Sequence, residues 1–140
     1  SKKKIVIIDT HWNSEIIKPM VKDCQELLEE YKANVHVLSV PGAYEIPYIV
    51  GKYLNYERPY FDAIITMGAI IRGETPHFDF ISKSSIDAIM KLSIESKKPI
   101  GNGILTCFNK NQAVERADKS NKNKGKEAAD AAIELLIGNN

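Results

Sequence analysis

Ile5-Val6-Ile7-Ile8, closed at once by Asp9, is the stretch on which the fold of this 140-residue chain turns. A short unbroken apolar run, with no polar face to give to water, is the pattern of a strand covered on both sides. Ala63-Ile64-Ile65 repeats it. Working outward from these two runs, strands are predicted over residues 4–8, 34–40, 62–67 and 100–106. The second alternates instead, Val35, Val37 and Ser39 against His36, Leu38 and Val40, which places it nearer a sheet edge.

The intervening segments carry helical spacing. Ile16, Ile17, Met20, Val21, Cys24, Leu27, Leu28 and Tyr31 line one face. Pro19 interrupts that face, so this helix is expected either to start late or to bend there. Ile46, Ile49, Val50, Tyr53 and Leu54 mark a second helix, with Pro47 suited to its first turn. A third spans residues 80–96 with Ile86, Ile89, Met90 and Leu92 as its core face. Asn109 can cap a short fourth helix carrying Ala113, Val114 and Ala117, and residues 128–137 form a fifth. The order β-α-β-α-β-α-β-α-α implies right-handed crossovers and a parallel sheet between helix layers. The expected fold class is therefore α/β: a three-layer α/β/α sandwich on a four-stranded parallel sheet, flavodoxin-like, forming a single domain over residues 1–140.

Bulk composition narrows the function. Apolar residues make up 44% and charged residues 26% of the chain, and 19 Lys+Arg balance 18 Asp+Glu. A protein that works on nucleic acid or a membrane surface needs a basic excess, which is absent apart from the local segment at residues 119–126. Cys24 and Cys107 stand far apart with no metal-ligand spacing, so reduced thiols and no zinc site are expected. Lys2, Lys3 and Lys4 resemble the start of a secretory signal, but Asp9 cuts the apolar stretch short. No run approaches membrane-spanning length. A cytoplasmic protein is the expectation.

In a parallel α/β sheet the strand-to-helix turns open on one edge, where ligands bind. That edge should collect His11-Trp12-Asn13, Pro41-Gly42-Ala43-Tyr44-Glu45, the segment from Gly68 to His77, and Thr106-Cys107-Phe108-Asn109. Trp12, the only tryptophan, either covers the end of the sheet or stacks on a planar ring. Glu45 either favours a helix N-terminus or binds a ligand. Asn13 fits a helix cap. His11 and His36 fit surface positions. His77 differs, because it follows Arg72-Gly73-Glu74-Thr75, a turn ahead of a long helix whose N–H groups can hold a phosphate, with Thr75 adding a hydroxyl. An imidazole beside such a pocket can move protons near neutrality, although Arg72 and Glu74 could equally pair with each other. Arg116 and Lys124 are either solvated charges or phosphate anchors. Spacing does not choose between these alternatives.

Val40-Pro41-Gly42-Ala43-Tyr44-Glu45-Ile46-Pro47 and the segment from Gly68 to Phe80 resemble two signature segments of the lumazine synthases. Gly103-Ile104-Leu105-Thr106 and Gln112-Ala113-Val114-Glu115-Arg116-Ala117 are similar to the third, and Lys124-Gly125 follows at the family's distance. The resemblance covers nearly the whole chain in order. It implies a transferase of riboflavin biosynthesis that condenses 5-amino-6-(D-ribitylamino)uracil with 3,4-dihydroxy-2-butanone 4-phosphate to 6,7-dimethyl-8-ribityllumazine, with no cofactor or metal. It implies that Trp12 stacks on the pyrimidine, with Asn13 beside it. Ala43, Tyr44 and Glu45 would hold the ribityl chain, and the main chain of Ala69, Ile70 and Ile71 would read the pyrimidine edge. Glu74, Thr75 and Arg116 would bind the phosphate, with Lys124 as a possible addition, and His77 would transfer protons.

The resemblance further implies a homo-oligomer, a pentamer first of all, in which fourth-strand and fourth-helix groups complete a neighbouring subunit's site. Two departures stand out. Asn102 replaces the family's usual aromatic before Gly-Ile-Leu-Thr, so a hydrogen-bonding contact to the ring is expected in place of a second stacking face. Residues 117–122 lack the glycines common in sixty-subunit shells, which favours a free pentamer. A non-catalytic flavin- or lumazine-binding protein of the same fold is the alternative, but it would have no use for Glu74, Thr75, His77 and Arg116 together. A phospho-acceptor domain would need a carboxylate at the end of the third strand, where Gly68 is expected. A redox flavodoxin would need a hydroxyl- and glycine-rich first turn.

Overall fold

A computed structural model of the chain describes residues 2–55, 61–72, 77–118 and 123–138. Four parallel strands, β1 (Lys4–Thr10), β2 (Asn34–Val40), β3 (Ala63–Ile71) and β4 (Ile100–Cys107), form one sheet in the order β2-β1-β3-β4. The helices are α1 (Ser14–Glu30), α2 (Ile46–Asn55), α3 (His77–Ser96), α4 (Lys110–Ala117) and α5 (Lys124–Gly138), with a 3₁₀ turn at Ala43–Glu45 ahead of α2. The sandwich expected from the alternating pattern is the observed architecture.

The continuous apolar runs lie in the middle of the sheet because both their faces are covered. On one face Ile5, Ile7, Ile65, Met67, Leu105 and Cys107 pack with Ile17, Met20, Cys24 and Leu28 of α1, and with Ala128, Ala129 and Ala132 of α5. On the other, Val6, Ile8, Ile64, Ile70 and Ile104 meet Ile46 and Val50 of α2 and Ile89 of α3. The alternating strand β2 is at an edge, as its pattern requires. Both cysteines are free and buried. Burial, with a smaller contribution from Asp130, pushes the Cys24 thiol up to about 12, which keeps it protonated and inert.

Several boundaries differ from expectation. Helix α1 begins at Ser14, ahead of Pro19 and not after it. Strand β3 runs on to Ile71, so Gly68–Ile71 belong to the strand and not to the following turn; each pairs with β4, from Gly68 opposite Ile104 to Ile71 opposite Cys107. Helix α3 starts at His77, and α5 absorbs residues 124–127. Met90, expected in the core, is 59% exposed, and Val114 of the fourth helix is 48% exposed. Each follows a buried residue, Ile89 or Ala113, and one step along a helix turns a side chain by about 100°. Among the described residues no helix is long and apolar enough to cross a membrane.

Close approach fixes one glycine in this packing. A methyl group at Gly101 of β4 would stand 2.5 Å from the Ala128 carbonyl oxygen of α5. Gly101→Ala must therefore push α5 off the sheet, and overpacking of this kind costs about 1–3 kcal/mol. Urea denaturation should read that loss as an earlier midpoint at unchanged slope. An unshifted midpoint would mean that α5 does not lie this close to β4.

Candidate active site at the carboxyl edge of the sheet

The turn after β1 is tied to the turn after β2. His11 N–H donates to the Val40 carbonyl at 2.9 Å and Trp12 N–H to the Pro41 carbonyl at 3.0 Å. The Thr10 hydroxyl donates to the Trp12 carbonyl at 2.8 Å. These bonds seat the indole against Gly42, where an added Cβ would be 2.6 Å from Trp12 Cε3. Only a residue without a side chain leaves room for the ring. The indole is nonetheless 67% exposed, so it presents most of its surface at the rim instead of sealing the sheet.

Asn13 ties the same turn to β3. It occupies the N-cap position of α1 in the left-handed region (φ 60°), but its side chain makes no capping bond. Instead Nδ2 donates to the Ala69 carbonyl at 3.4 Å, which corrects the expected cap role. The Ala69 carbonyl is open to it because β1 is short. Pairing of β1 with β3 ends at Ile8 opposite Thr66, while β3 continues to Ile71. Ile64 donates to the Pro99 carbonyl just ahead of β4 and Arg72 to the Cys107 carbonyl at its end, and a parallel strand sends alternate residues to opposite neighbours. The main chains of Ala69 and Ile71 therefore face the gap beyond the end of β1, whereas Ile70 turns its main chain to β4 and buries its side chain.

Ala43 is buried, and its Cβ together with Thr10 and Ile46 forms the floor around Gly68. Tyr44 is exposed at 67%. Glu45 is half-buried, with its N–H on the Gly42 carbonyl at 3.1 Å. Trp12, Asn13, Ala43 and Ala69 thus share one rim. On the opposite face of the sheet, Asp9, His11, Ser14, Lys18 and Ser39 line a separate cavity of about 370 Å³, in which the Ser39 hydroxyl donates to Asp9.

The remaining expected residues lie elsewhere on the same chain. Asn102 pairs with Thr66 in mid-strand. Its Oδ1 accepts from Ile104 N–H at 3.0 Å, and it lines a small cavity of about 80 Å³ with Ile86, Ile89 and Met90. Arg116, half-buried in the last turn of α4, donates from Nη1 to the Gln112 carbonyl at 3.2 Å. Lys124 forms an ion pair with Glu127 at 3.3 Å, which favours the solvated-charge reading for that lysine. Glu74, Thr75 and the His77 side chain fall outside the described residues, as does the expected approach of His77 to Arg116.

Two features were not anticipated. The Arg72 guanidinium sits 5.7 Å from the centroid of the Phe108 ring, and burial raises the Cys107 thiol above its ordinary range, with the Arg116 charge opposing the rise. Neither leaves a trace in residue spacing, because both depend on how β3, β4 and α4 meet.

The family model described as 6,7-dimethyl-8-ribityllumazine synthase matches residues 2–138. The chain belongs to that family. Among curated lumazine synthases, that of Sulfurimonas denitrificans is 39% identical over 96% of this chain and 88% of its own length. Those of Protochlamydia amoebophila and Campylobacter jejuni subsp. doylei are 42% and 38% identical over 97% of this chain, and 80% and 89% of their own lengths. The lumazine synthase resemblance read from the motifs is therefore borne out across the chain. The phospho-acceptor alternative fails on geometry too, since β3 ends at Ile71 and is followed by Arg72.

The seat of Trp12 can be tested directly, because the protein has one tryptophan. Gly42→Ala should displace the indole and shift its fluorescence maximum while far-UV circular dichroism stays unchanged. An identical emission spectrum would remove Gly42 as the support of Trp12.

Proposed function

We propose that this protein condenses 5-amino-6-(D-ribitylamino)uracil with 3,4-dihydroxy-2-butanone 4-phosphate to form 6,7-dimethyl-8-ribityllumazine, releasing phosphate and water, as a transferase of riboflavin biosynthesis. The observation that carries this reading is the junction of Trp12 with Gly42 and of Asn13 with Ala69. It brings three segments of the motif pattern to one rim in a chain of this family.

Trp12 offers an exposed aromatic surface to a flat pyrimidine, and the main-chain groups of Ala69 and Ile71 offer donors and acceptors to its edge. Glu45 accepts from ribityl hydroxyls beside Tyr44 and Ala43. Glu74 and Thr75 sit at the phosphate, with Arg116 gripping it. The pyrimidine amine attacks the ketone, and loss of water leaves an imine. Phosphate departs by elimination. The second amine then closes the ring with loss of another water. Each step moves protons, which is the task of His77, and alignment of the two substrates supplies much of the remaining acceleration.

The chain works as a homopentamer in the cytoplasm. Support for shared sites comes from Asn102, which pairs with Thr66 in mid-strand and faces Ile86 and Ile89 of α3, away from the Trp12 turn. Exposed Phe80, Met90 and Ile94 on α3 are apolar surface of the kind that subunit contacts cover.

Mixing the two substrates with the protein should produce the lumazine chromophore. In the same assay His77→Ala is expected to lower kcat by about 10²–10⁴-fold while leaving measurable turnover, the range for loss of one proton-transfer group. No chromophore from the unaltered protein would end the enzymatic reading. Unaltered kcat in the variant would remove His77 from it. Sedimentation velocity should give a five-chain particle, and a stable monomer with full activity would refute the shared site.

A further inference from the structure

Arg72 has no role in the reaction laid out above, yet it stands where β3 gives way to the segment read as the phosphate pocket. Its main chain is pinned, since its N–H donates to the Cys107 carbonyl at the end of β4 at 2.8 Å. Its side chain is exposed, and the guanidinium carbon lies over the Phe108 ring, 5.7 Å from the centroid. Phe108 is itself anchored. Its N–H donates to Gln112 Oε1 at 2.8 Å, and Gln112 N–H donates to Asn109 Oδ1 at 2.9 Å. The cap of α4 thus sets the ring, and the ring sets the guanidinium. Phe108 is 62% exposed, so the pair stands at the surface of the carboxyl edge and not in the core. Among the described residues Arg72 forms no salt bridge.

A ring face holds a guanidinium without cancelling its charge or spending its N–H groups. A carboxylate in the same place would do both. The charge has a use. The ketose phosphate carries about −1.5 to −2 at neutral pH, and Glu74 adds another negative charge two positions after Arg72. A dianion arriving beside a carboxylate is repelled unless cations offset it, and one guanidinium at Arg116 offsets only one charge. Holding a long side chain beforehand also reduces the entropy lost on binding. We propose that Arg72 is a second phosphate-binding cation of the site, and that Phe108 is the residue that positions it. The inference rests on the reading of the segment after β3 as the phosphate pocket, with Arg116 as its other cation.

The test uses the full chain and both substrates, with inorganic phosphate as an inhibitor competing with the ketose phosphate. Arg72→Ala should raise KM for the ketose phosphate and the phosphate inhibition constant by about tenfold or more, the loss expected for a hydrogen bond to a charged group. KM for the pyrimidine should stay unchanged. Phe108→Leu keeps apolar bulk but removes the ring, and should raise the same two constants by about two- to fivefold, the range of an exposed cation–π contact. Phe108→Tyr, which restores a ring face, should return both to within about twofold of the unaltered protein. Thermal melts check folding, and Arg72→Gln replaces the alanine variant should that one fail to fold. If Arg116→Ala weakens the phosphate substrate but Arg72→Ala does not, the role of Arg72 is overturned and the pocket reading stands without it. If neither substitution weakens it, the pocket reading falls, and this inference with it. Unchanged constants in Phe108→Leu beside an impaired Arg72→Ala would remove Phe108 as the support. An equal rise in both KM values, or a fall in kcat alone, makes the pair merely structural and overturns the proposal.

Discussion

The rim depends on an inequality of length: β3 runs past the last residue at which β1 pairs with it. A parallel ladder satisfies main-chain groups alternately on its two sides. Where one neighbour stops, the groups on that side must find another partner. At Ala69 the partner is the Asn13 amide. The Thr10 hydroxyl turns β1 off the sheet by holding the Trp12 carbonyl, and Asn13 absorbs the sharp turn in the left-handed region, which asparagine tolerates better than most residues. The exposed ring and the unpaired strand end are two results of one early turn.

Sequence patterning made the strands, their edge or central position, and the rim itself legible, because burial on one face or two writes itself into apolar periodicity. It misplaced the end of β3 for the same reason. Gly68 reads as a turn residue, yet in the strand it answers a steric demand, since Ile46, Thr10 and Ala43 crowd the space its side chain would fill. Met90 was assigned to the core because periodicity registers apolar character and does not say which side of the helix the sheet covers. Asn13 shows a third limit. Its type and position suit a cap, and only the nearby open carbonyl of Ala69 explains why the side chain leaves its own helix.

Arg116 and Lys124 were equivalent as letters: two cations on or after the fourth helix. Their surroundings separate them. Lys124 lies beside Glu127, so an arriving anion must compete with a resident carboxylate. Arg116 donates to the neutral Gln112 carbonyl and forms no salt bridge among the described residues. Coulombic attraction for a phosphate depends on the charge left uncompensated as much as on the cation present. The resemblance implies Arg116 at the phosphate with Lys124 only as a possible addition, and the two environments differ in the charge left uncompensated.

The placement of the second half of the site follows from which face of β4 each group occupies. Cys107 and Arg116 belong to the side of the sheet packed by α1, α4 and α5, while Asn102 looks toward Ile86 and Ile89 of α3 on the other side. Asn102 lies on the edge strand, and β3 stands between that strand and β1. The sheet therefore keeps Asn102 and Arg116 apart, one on each face of β4.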